Sequence, residues 1–352
     1  MPEVHKRYVR IFLTVLFINV TLILVIAFYI QPLEGELTRL GSYAERDFGW
    51  NAPQKKIRGD ANIVKAYDGK SEVLIIGDSF STNGVWQPFF REKTGLSYET
   101  LNIRKMSITD FLESKQFRKY PPRVIILQCV ERELVYFFRD MDIICDKKIS
   151  GEVRIPIQKY STDPYSEYYE ETRKTFHLRN FNLKYAASVV IHSLIRSITG
   201  TDTRNAKRFV LTNNSLFSNR KSNEILVYEG DMNKLSWSKA DIEKAACVIR
   251  CLQDKVQSAG KTLFIFMLAP DKSTAYADYI STPEFRNREN IWKYLTYYGI
   301  NVPRIDILLK TAIDRGEKDI YSPSGTHWSA RGYELATEGI SEFIKERSIV
   351  FP

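Results

Sequence analysis

The sequence predicts an α/β fold in which a parallel central sheet is covered by helices on both faces, preceded by one transmembrane helix. Short apolar runs at residues 72–76, 97–103, 123–130 and 262–268 have the length of buried strands. Amphipathic stretches that favour helices alternate with these runs, at residues 85–94, 108–117, 239–258, 287–298 and 330–346. An apolar segment long enough to cross a membrane stands ahead of both.

That apolar segment is residues 11–30 (IFLTVLFINVTLILVIAFYI), which carry no charge. At about 1.5 Å per residue it spans roughly 30 Å, the thickness of the hydrocarbon core of a bilayer. Lys6, Arg7 and Arg10 precede it, whereas Glu34 and Glu36 follow it. The positive-inside rule therefore predicts a cytoplasmic tail (1–10), an anchor (11–30), a juxtamembrane linker (31–70) and an extracytoplasmic domain (71–352).

A cleaved signal peptide is the alternative to an anchor. Its apolar region would be shorter, and no small-x-small cleavage site follows residue 30. We therefore expect a single-pass protein of the cell (inner) membrane, with its main domain on the periplasmic side.

Composition narrows the classes of partner. The 352 residues carry a formal charge of +9, which suits an anionic partner or simply gives a basic surface. No zinc-finger spacing or nucleic-acid motif is present, and we expect no nucleic acid, metal or cofactor. The four cysteines do not indicate a disulfide framework, although export would allow one bond.

Residues from about 140 to 238 break the α/β pattern and are rich in Tyr, Arg, Lys and Ser. We interpret them as an insertion in the domain, partly helical near 183–198. An insertion of this size either shapes a binding surface or elaborates the surface without a function. Its aromatic side chains would suit sugar rings: Tyr165, Tyr168, Tyr169 and Phe176.

The first apolar run ends in VLIIGDSFS, which places Ser79 at a strand-to-helix junction. A nucleophilic serine suits this position, because the first turn of a helix offers free N–H groups, here those of Ser79 or Phe80. Gly77 permits a tight turn. The alternative is that Asp-Ser only caps a helix.

A nucleophilic serine needs a base, and the chain has four histidines. His5 lies on the cytoplasmic side, His177 in the polar insertion and His192 in an amphipathic helix. His327 lies in the turn-forming loop YSPSGTHWS before the last helix. It is therefore the candidate base.

Four pieces of sequence together resemble the SGNH (GDSL-type) hydrolase superfamily, and more narrowly its alginate O-acetyltransferase-like branch. They are GDSFS at 77–81, VIILQCVEREL at 124–134, APDKST at 269–274 and GTHWS at 325–329. The resemblance implies an SGNH/flavodoxin-like three-layer sandwich. It also implies that Ser79 attacks an acyl donor while His327 acts as base and then as acid.

The resemblance further implies partners and additional site residues. A membrane-bound O-acyltransferase would supply the acyl group, and a polysaccharide would accept it. Glu131-Arg132 stands where the superfamily usually has G-x-N-D, so Arg132 is a candidate oxyanion donor or else a salt-bridged arginine. Further oxyanion or orienting candidates are Asp78, Arg104 and Glu131, and the substrate-binding candidates are Lys272 and Trp328.

One departure concerns the acid that usually stands two or three residues before the histidine and fixes its tautomer. Ser324 and Gly325 occupy those places. The orienting group is then Ser324, a backbone carbonyl or a more distant acid such as Asp319; otherwise the site is a Ser-His dyad or inactive.

The sequence thus predicts a membrane-anchored O-acetyltransferase that modifies hydroxyl groups of an extracytoplasmic polysaccharide or cell-wall polymer. An acetyl esterase would use the same Ser79 and His327. A non-catalytic scaffold subunit of a glycan-assembly complex is the alternative without an enzyme activity.

Overall fold

A computed structural model describes residues 2–348, except residues 58, 142, 144–168, 173–177, 203 and 259. Its central sheet has four parallel strands: β2 (Val73–Gly77), β3 (Tyr98–Asn102), β4 (Val124–Val130) and β8 (Leu263–Ala269), in the order β3-β2-β4-β8. The register pairs Val73 with Val124 and Leu127 with Phe266. β2, β4 and β8 are buried along their whole length, as expected for a parallel sheet covered on both faces.

Helices cover each face of this sheet. One face packs on α5 (Gln87–Thr94), α13 (Ile305–Asp314) and α14 (Ala330–Ser348). The other packs on α6 (Ile108–Glu113), α8 (Leu134–Phe138), α10 (Lys239–Gln257) and α12 (Ile291–Tyr297). Side chains alternate between the two cores along each strand, so that Ile75 belongs to the first and Ile76 to the second. The predicted three-layer α/β sandwich is confirmed.

Shorter elements complete this domain: β1 (Gln54–Ile57), α4 (Ser79–Thr82), α7 (Lys115–Lys119), β5 (Tyr169–Thr172) and α11 (Lys272–Ala275). The single helix predicted at 108–117 is divided into α6 and α7. Ser114 ends α6, and its hydroxyl accepts a hydrogen bond from the Phe117 N–H at the start of α7. Serine favours this capping role over a helix interior.

At the N-terminus, α1 (Pro2–Tyr29) is long and apolar enough to cross a membrane. Only 6% of its most apolar window is buried against the rest of the protein. Contact with the domain is confined to its carboxyl end, where Ala27 is buried and the Arg46 guanidinium lies 3.8 Å from the centre of the Tyr29 ring.

The segment interpreted as a linker is folded over much of its first half. It contains α2 (Glu36–Gly41) and α3 (Glu45–Phe48). Leu37 and Phe48 are buried with Tyr43 against Ala206 and Leu226, in a small core of their own. Burial of these apolar side chains fixes the segment on the domain.

The segment interpreted as an insertion contains the helix predicted near 183–198, which is α9 (Leu183–Thr199). It also contains an antiparallel hairpin that the sequence analysis missed, β6 (Ala206–Val210) and β7 (Glu224–Tyr228). Leu216, Phe217 and Val227 belong to the core on the face of the sheet that packs on α5, α13 and α14. Of the aromatic residues proposed to meet sugars, Tyr169 lies in β5, while Tyr165, Tyr168 and Phe176 fall outside the described residues.

Candidate active site

Ser79 is the first residue of α4, directly after β2 at the carboxyl edge of the sheet. Asp78 is the N-cap of this helix, and its Oδ1 accepts a hydrogen bond of 2.9 Å from the Phe80 N–H. Asp78 therefore caps the helix, and the same turn presents Ser79 at the strand tip, where a nucleophile would have to lie.

A buried glutamine fixes this turn from the neighbouring strand. Gln128 Nε2 donates to Asp78 Oδ1 at 2.9 Å, and its Oε1 accepts from the Asp78 N–H at 3.0 Å and the Ser81 hydroxyl at 2.8 Å. The Val130 N–H donates to Asp78 Oδ2 at 2.7 Å. A Cβ on Gly77 would lie only 2.5 Å from Gln128 Oε1, so glycine is required for this close approach.

His327 meets Ser79 across the carboxyl edge of the sheet. Its Nε2 lies 2.9 Å from Ser79 Oγ, within hydrogen-bond distance. The imidazole packs against the buried Phe80 ring, with 4.7 Å between ring centres. Phe80 also contacts Trp328, so its ring packs against two consecutive residues of the loop that carries His327.

The other imidazole nitrogen faces a carboxylate from the N-terminal segment. Glu36 Oε1 lies 3.2 Å from His327 Nδ1, and the Thr326 hydroxyl donates to Glu36 Oε2 at 2.6 Å. A hydrogen bond from Nδ1 to Glu36 leaves Nε2 free to accept the proton of Ser79. Serine, histidine and glutamate therefore form a continuous hydrogen-bonded chain.

The pKa of Glu36 reflects these contacts. Burial acts to raise it, but the hydrogen bond and charge interaction with His327, together with the bonds from Thr326, lower the pKa from 4.5 to about 2. The carboxylate is thus ionised throughout the neutral range, as stabilisation of an imidazolium requires.

Further hydrogen bonds hold the start of α2 against the His327 loop. The Leu37 N–H donates to the Ser324 carbonyl at 2.8 Å. Glu45 Oε1 accepts from the Ser324 hydroxyl at 2.8 Å, and Glu45 Oε2 accepts from the Gly35 N–H at 3.2 Å. Ser324 therefore docks the segment that carries Glu36 and does not itself orient His327.

Lys272 supports the same loop from beneath. Its Nζ donates to the carbonyls of Ser322 at 2.8 Å, Pro323 at 2.7 Å and Gly325 at 3.3 Å. The side chain is buried, and this burial lowers the pKa of Lys272 to about 7, against the opposing effect of Asp231 and Asp319. Substrate binding, expected for Lys272 at the ligand edge, does not fit a buried ammonium occupied by the protein's own carbonyls.

A buried ionic cluster lies under the ends of β4 and β8 and contains two more candidates. Arg132 bonds to Asp271 at 2.6 Å and to Asp231 at 3.2 Å. The fully buried Glu131 accepts hydrogen bonds from the Asp271 N–H and from side chains of three residues, Lys234, Thr274 and Arg288.

Because burial of charge is tolerated only with such pairing, this cluster has a structural role. Of the two alternatives for Arg132, the salt-bridged arginine is observed, since its Nη1 contacts both Asp271 and Asp231.

The remaining candidates are each in contact with other groups of the protein. Arg104 is exposed and pairs with Glu133 at 3.1 Å. Asp319 accepts from the Ser218 N–H at 2.8 Å and so does not orient His327. Trp328 is buried against Phe80 and Tyr333, which makes it a packing residue of the loop rather than a substrate-binding surface.

Of the two N–H groups considered for an oxyanion, that of Phe80 is bonded to Asp78. Among the described residues, no hydrogen bond occupies the Ser79 N–H. This N–H is therefore the candidate oxyanion donor, at the amino end of α4.

Comparison with known families bears on the carboxyl-terminal part of the chain, which carries His327. Residues 226–350 match the family described as SGNH hydrolase-like domain, acetyltransferase AlgX. The match supports an SGNH-like domain and an enzyme of the hydrolase or acyltransferase type. Searches of curated proteins and of solved structures found no match.

Proposed function

We propose that this protein is a membrane-anchored O-acetyltransferase that modifies hydroxyl groups of an extracytoplasmic polysaccharide or cell-wall polymer through an acyl-Ser79 intermediate. The observation that carries this proposal is the chain of contacts from Ser79 Oγ to His327 Nε2 and from His327 Nδ1 to Glu36. The match to an acetyltransferase family over residues 226–350 supports the choice of acyl group.

In the first half-reaction, Ser79 Oγ attacks the carbonyl carbon of an acyl donor as its proton passes to His327 Nε2. Glu36 stabilises the resulting imidazolium, and the Ser79 N–H faces the developing oxyanion. The tetrahedral intermediate then collapses, the leaving group takes the proton from His327, and an ester on Ser79 remains.

In the second half-reaction, a hydroxyl group of the polymer attacks this ester. His327 accepts the proton of that hydroxyl and returns it to Ser79 Oγ as the acyl group departs. Water in place of the polymer hydroxyl would release free acetate, which is the esterase reaction. Exclusion of water by bound polymer therefore decides between the two activities.

The anchor supports a donor embedded in the membrane. Glu36 follows the end of α1 at Tyr29 by seven residues, which reach at most about 25 Å when fully extended. The catalytic acid is therefore tied close to the bilayer surface. We infer that a membrane-bound O-acyltransferase supplies the acyl group there, on the periplasmic side of the cell membrane.

The test is acyl transfer by the full chain in nanodiscs, supplied with p-nitrophenyl acetate and an oligosaccharide. The proposal expects acetylated oligosaccharide and a transient acetyl adduct on the Ser79 peptide, detected by mass spectrometry, with both lost in Ser79→Ala. Release of acetate alone, at a rate unaffected by acceptor, would identify an esterase. No adduct, together with unchanged polymer acetylation in cells carrying Ser79→Ala, would leave the scaffold role.

A further inference from the structure

The helix α9 carries an apolar face that is turned away from the core. Tyr185, Ala186 and Val189 pack inward. The opposite side of the helix presents a continuous aliphatic stripe at i, i+3, i+4 and i+7 spacing: Leu183, Ala187, Val190, Ile191, Leu194 and Ile198. Ile198 is 77% exposed and Leu194 62% exposed, so no described part of the chain covers this end of the stripe.

The position of this stripe indicates what covers it. α9 packs against α1, and α1 is buried only near its carboxyl end, at Ala27. The stripe therefore belongs to a helix that adjoins the membrane-spanning helix where the latter reaches the domain. A helix of this kind, apolar on one face and about 22 Å long between Leu183 and Ile198, has the dimensions of an interfacial helix.

The chemistry of the stripe favours lipid over a protein partner. All six side chains are aliphatic, whereas protein interfaces concentrate binding energy in Trp, Tyr and Arg. The stripe itself offers no side-chain hydrogen bond. Acyl chains need only such a surface, while Lys184 at its edge is placed to meet anionic headgroups.

We propose that the outward face of α9 lies in the membrane–water interface, on the extracytoplasmic side of the membrane that α1 crosses. The domain is then held on the bilayer by α9 as well as anchored by α1. This inference rests on the anchor proposed above but not on the acyl-transfer chemistry. It adds an orientation to the proposed function, because a single flexible tether would leave the domain free to turn.

Hydrogen bonds connect α9 to the segment that carries Glu36. The Tyr185 hydroxyl donates to the Tyr43 carbonyl at 2.6 Å. Arg196 donates to the carbonyls of Gly41 at 3.0 Å and Ser42 at 2.9 Å, at the end of the helix that begins with Glu36. Seating α9 therefore fixes the height and orientation of the catalytic acid above the membrane.

The experiment places single spin labels on the full chain in nanodiscs that hold one molecule each. Labels are attached to cysteines introduced at Leu194 and Ile198 in a Cys251→Ser background, since the thiol of Cys129 is buried. Ile18 in α1 and Tyr136, which is 73% exposed elsewhere on the domain, provide the membrane and water references. Collision rates with oxygen and with a water-soluble nickel chelate then give the depth of each label.

The proposal expects the Leu194 and Ile198 labels about 5–10 Å below the headgroup boundary, with the Tyr136 label in water. Labels at Leu194 and Ile198 that are as accessible to nickel as Tyr136, while Ile18 lies in lipid, would overturn it and assign the stripe to a protein partner. If the Ile18 label is also in water, both the proposed membrane anchor and the proposed interfacial position of α9 are wrong. Neither result bears on the acetyl adduct at Ser79, which tests the chemistry separately.

A functional arm uses Leu194→Gln with Ile198→Gln. Reaction of Ser79 with a fluorophosphonate in detergent should remain within about two-fold of wild type, since the stripe does not touch the site, whereas polymer acetylation in cells should fall. The matched control Ser197→Gln alters a polar position on the same helix and should change neither. Unchanged acetylation in the double variant would contradict the orienting role.

Discussion

Glu36 Oε1 and His327 Nδ1 lie 3.2 Å apart, although one follows α1 and the other precedes α14, the last described helix. The carboxylate lies where it can accept a hydrogen bond from His327 Nδ1, the contact that the aspartate makes in a Ser-His-Asp triad. The Ser79–His327–Glu36 arrangement therefore exists only when the segment that contains α2 is docked on the domain. In the proposed function, membrane anchoring through α1 and assembly of the site involve the same stretch of chain.

Replacement of this carboxylate tests the relationship directly. Glu36→Gln keeps the shape of the side chain but removes its charge and favours the wrong tautomer of His327, so we expect the rate of Ser79 acylation to fall by about 100-fold or more. The rate is measured as kcat/KM for p-nitrophenyl acetate and as the rate of fluorophosphonate labelling. Glu34→Gln makes the same change two residues away at an exposed position and should leave both rates unchanged. Equal rates for wild type and Glu36→Gln would identify a Ser-His dyad.

Thr326 offers an isosteric test of how Glu36 is held. Its hydroxyl donates to Glu36 Oε2, and the hydrogen bond to a charged acceptor is worth about 1.5–3 kcal/mol. Thr326→Val should therefore lower acylation by about ten-fold. Thr326→Ser keeps the hydroxyl and should retain most of the activity. A loss in Thr326→Ser without a loss in Thr326→Val would mean that the methyl group, not the hydroxyl, matters.

The lowered pKa of Glu36 predicts a stability difference in acid. Its pKa is about 2 in the folded protein and 4.5 ordinarily, so the unfolded state binds more protons between these values. The stabilisation is present above pH 4.5 and is lost as the pH falls toward 2. Because 41% of the side chain is exposed, solvent screening limits it to below about 1 kcal/mol. Urea unfolding of wild type and Glu36→Gln across pH 2–6 should show the two stabilities converging at low pH; a gap that widens there would contradict the assignment.

The sequence predicts the sandwich well because each strand is an unbroken apolar run whose burial on two faces is a local property. Residues 124–130 illustrate this, since every one of them is buried. Ser79 and His327 could also be proposed, because a strand-tip serine and a loop histidine each carry a local signal. Their 2.9 Å contact agrees with that pairing.

Glu36 could not be found in the same way. As a charged residue after an apolar segment it has the ordinary features of a membrane flank, and its role depends on tertiary contacts such as that between Leu37 and Ser324. Lys272 and Arg132 follow β8 and β4, and both side chains contact the protein's own groups; for Arg132 this is the salt-bridged alternative that the sequence left open. Tertiary packing decides whether a charged side chain at the end of a strand faces substrate or the backbone of the protein. The three carbonyls around the Lys272 ammonium illustrate this.

Substitution of Gln128 is predicted to affect the position of Ser79 as well as the stability of the fold, whereas a matched substitution elsewhere should affect stability alone. Gln128→Ala removes the acceptor of the Asp78 N–H and the partner of its carboxylate, which should cost about 1–3 kcal/mol and displace Ser79. The matched control is Gln253→Ala, another buried glutamine, whose amide bonds the backbone of Asn301 and Gly299 away from the site. Chemical denaturation should show similar losses of stability for both variants.

Fluorophosphonate labelling then distinguishes the two glutamines. At a temperature where both variants are folded, only Gln128→Ala should label slowly, because only its turn carries the nucleophile. Equally fast labelling of the two would show that Asp78 and Gly77 hold Ser79 without help from the neighbouring strand.

The disulfide bond of Cys247 leads to a prediction about the cellular compartment in which the domain lies. Cys247 is disulfide-bonded, whereas Cys129 and Cys251 are not; Cys145 lies outside the described residues. Cys247 and Cys251 share α10, and the expectation that they do not bridge to each other agrees with this state. A stable disulfide requires an oxidising compartment, which matches a domain on the periplasmic side.

Cys247→Ser should therefore abolish the mobility difference between reduced and non-reduced protein and lower stability by about 2–4 kcal/mol, whereas Cys251→Ser on the same helix should do neither. Alkylation of protein taken from intact cells, followed by mass spectrometry, measures the redox state directly. A fully alkylated Cys247 in such a preparation would place the domain in a reducing compartment, and the orientation of the anchor would then be reversed.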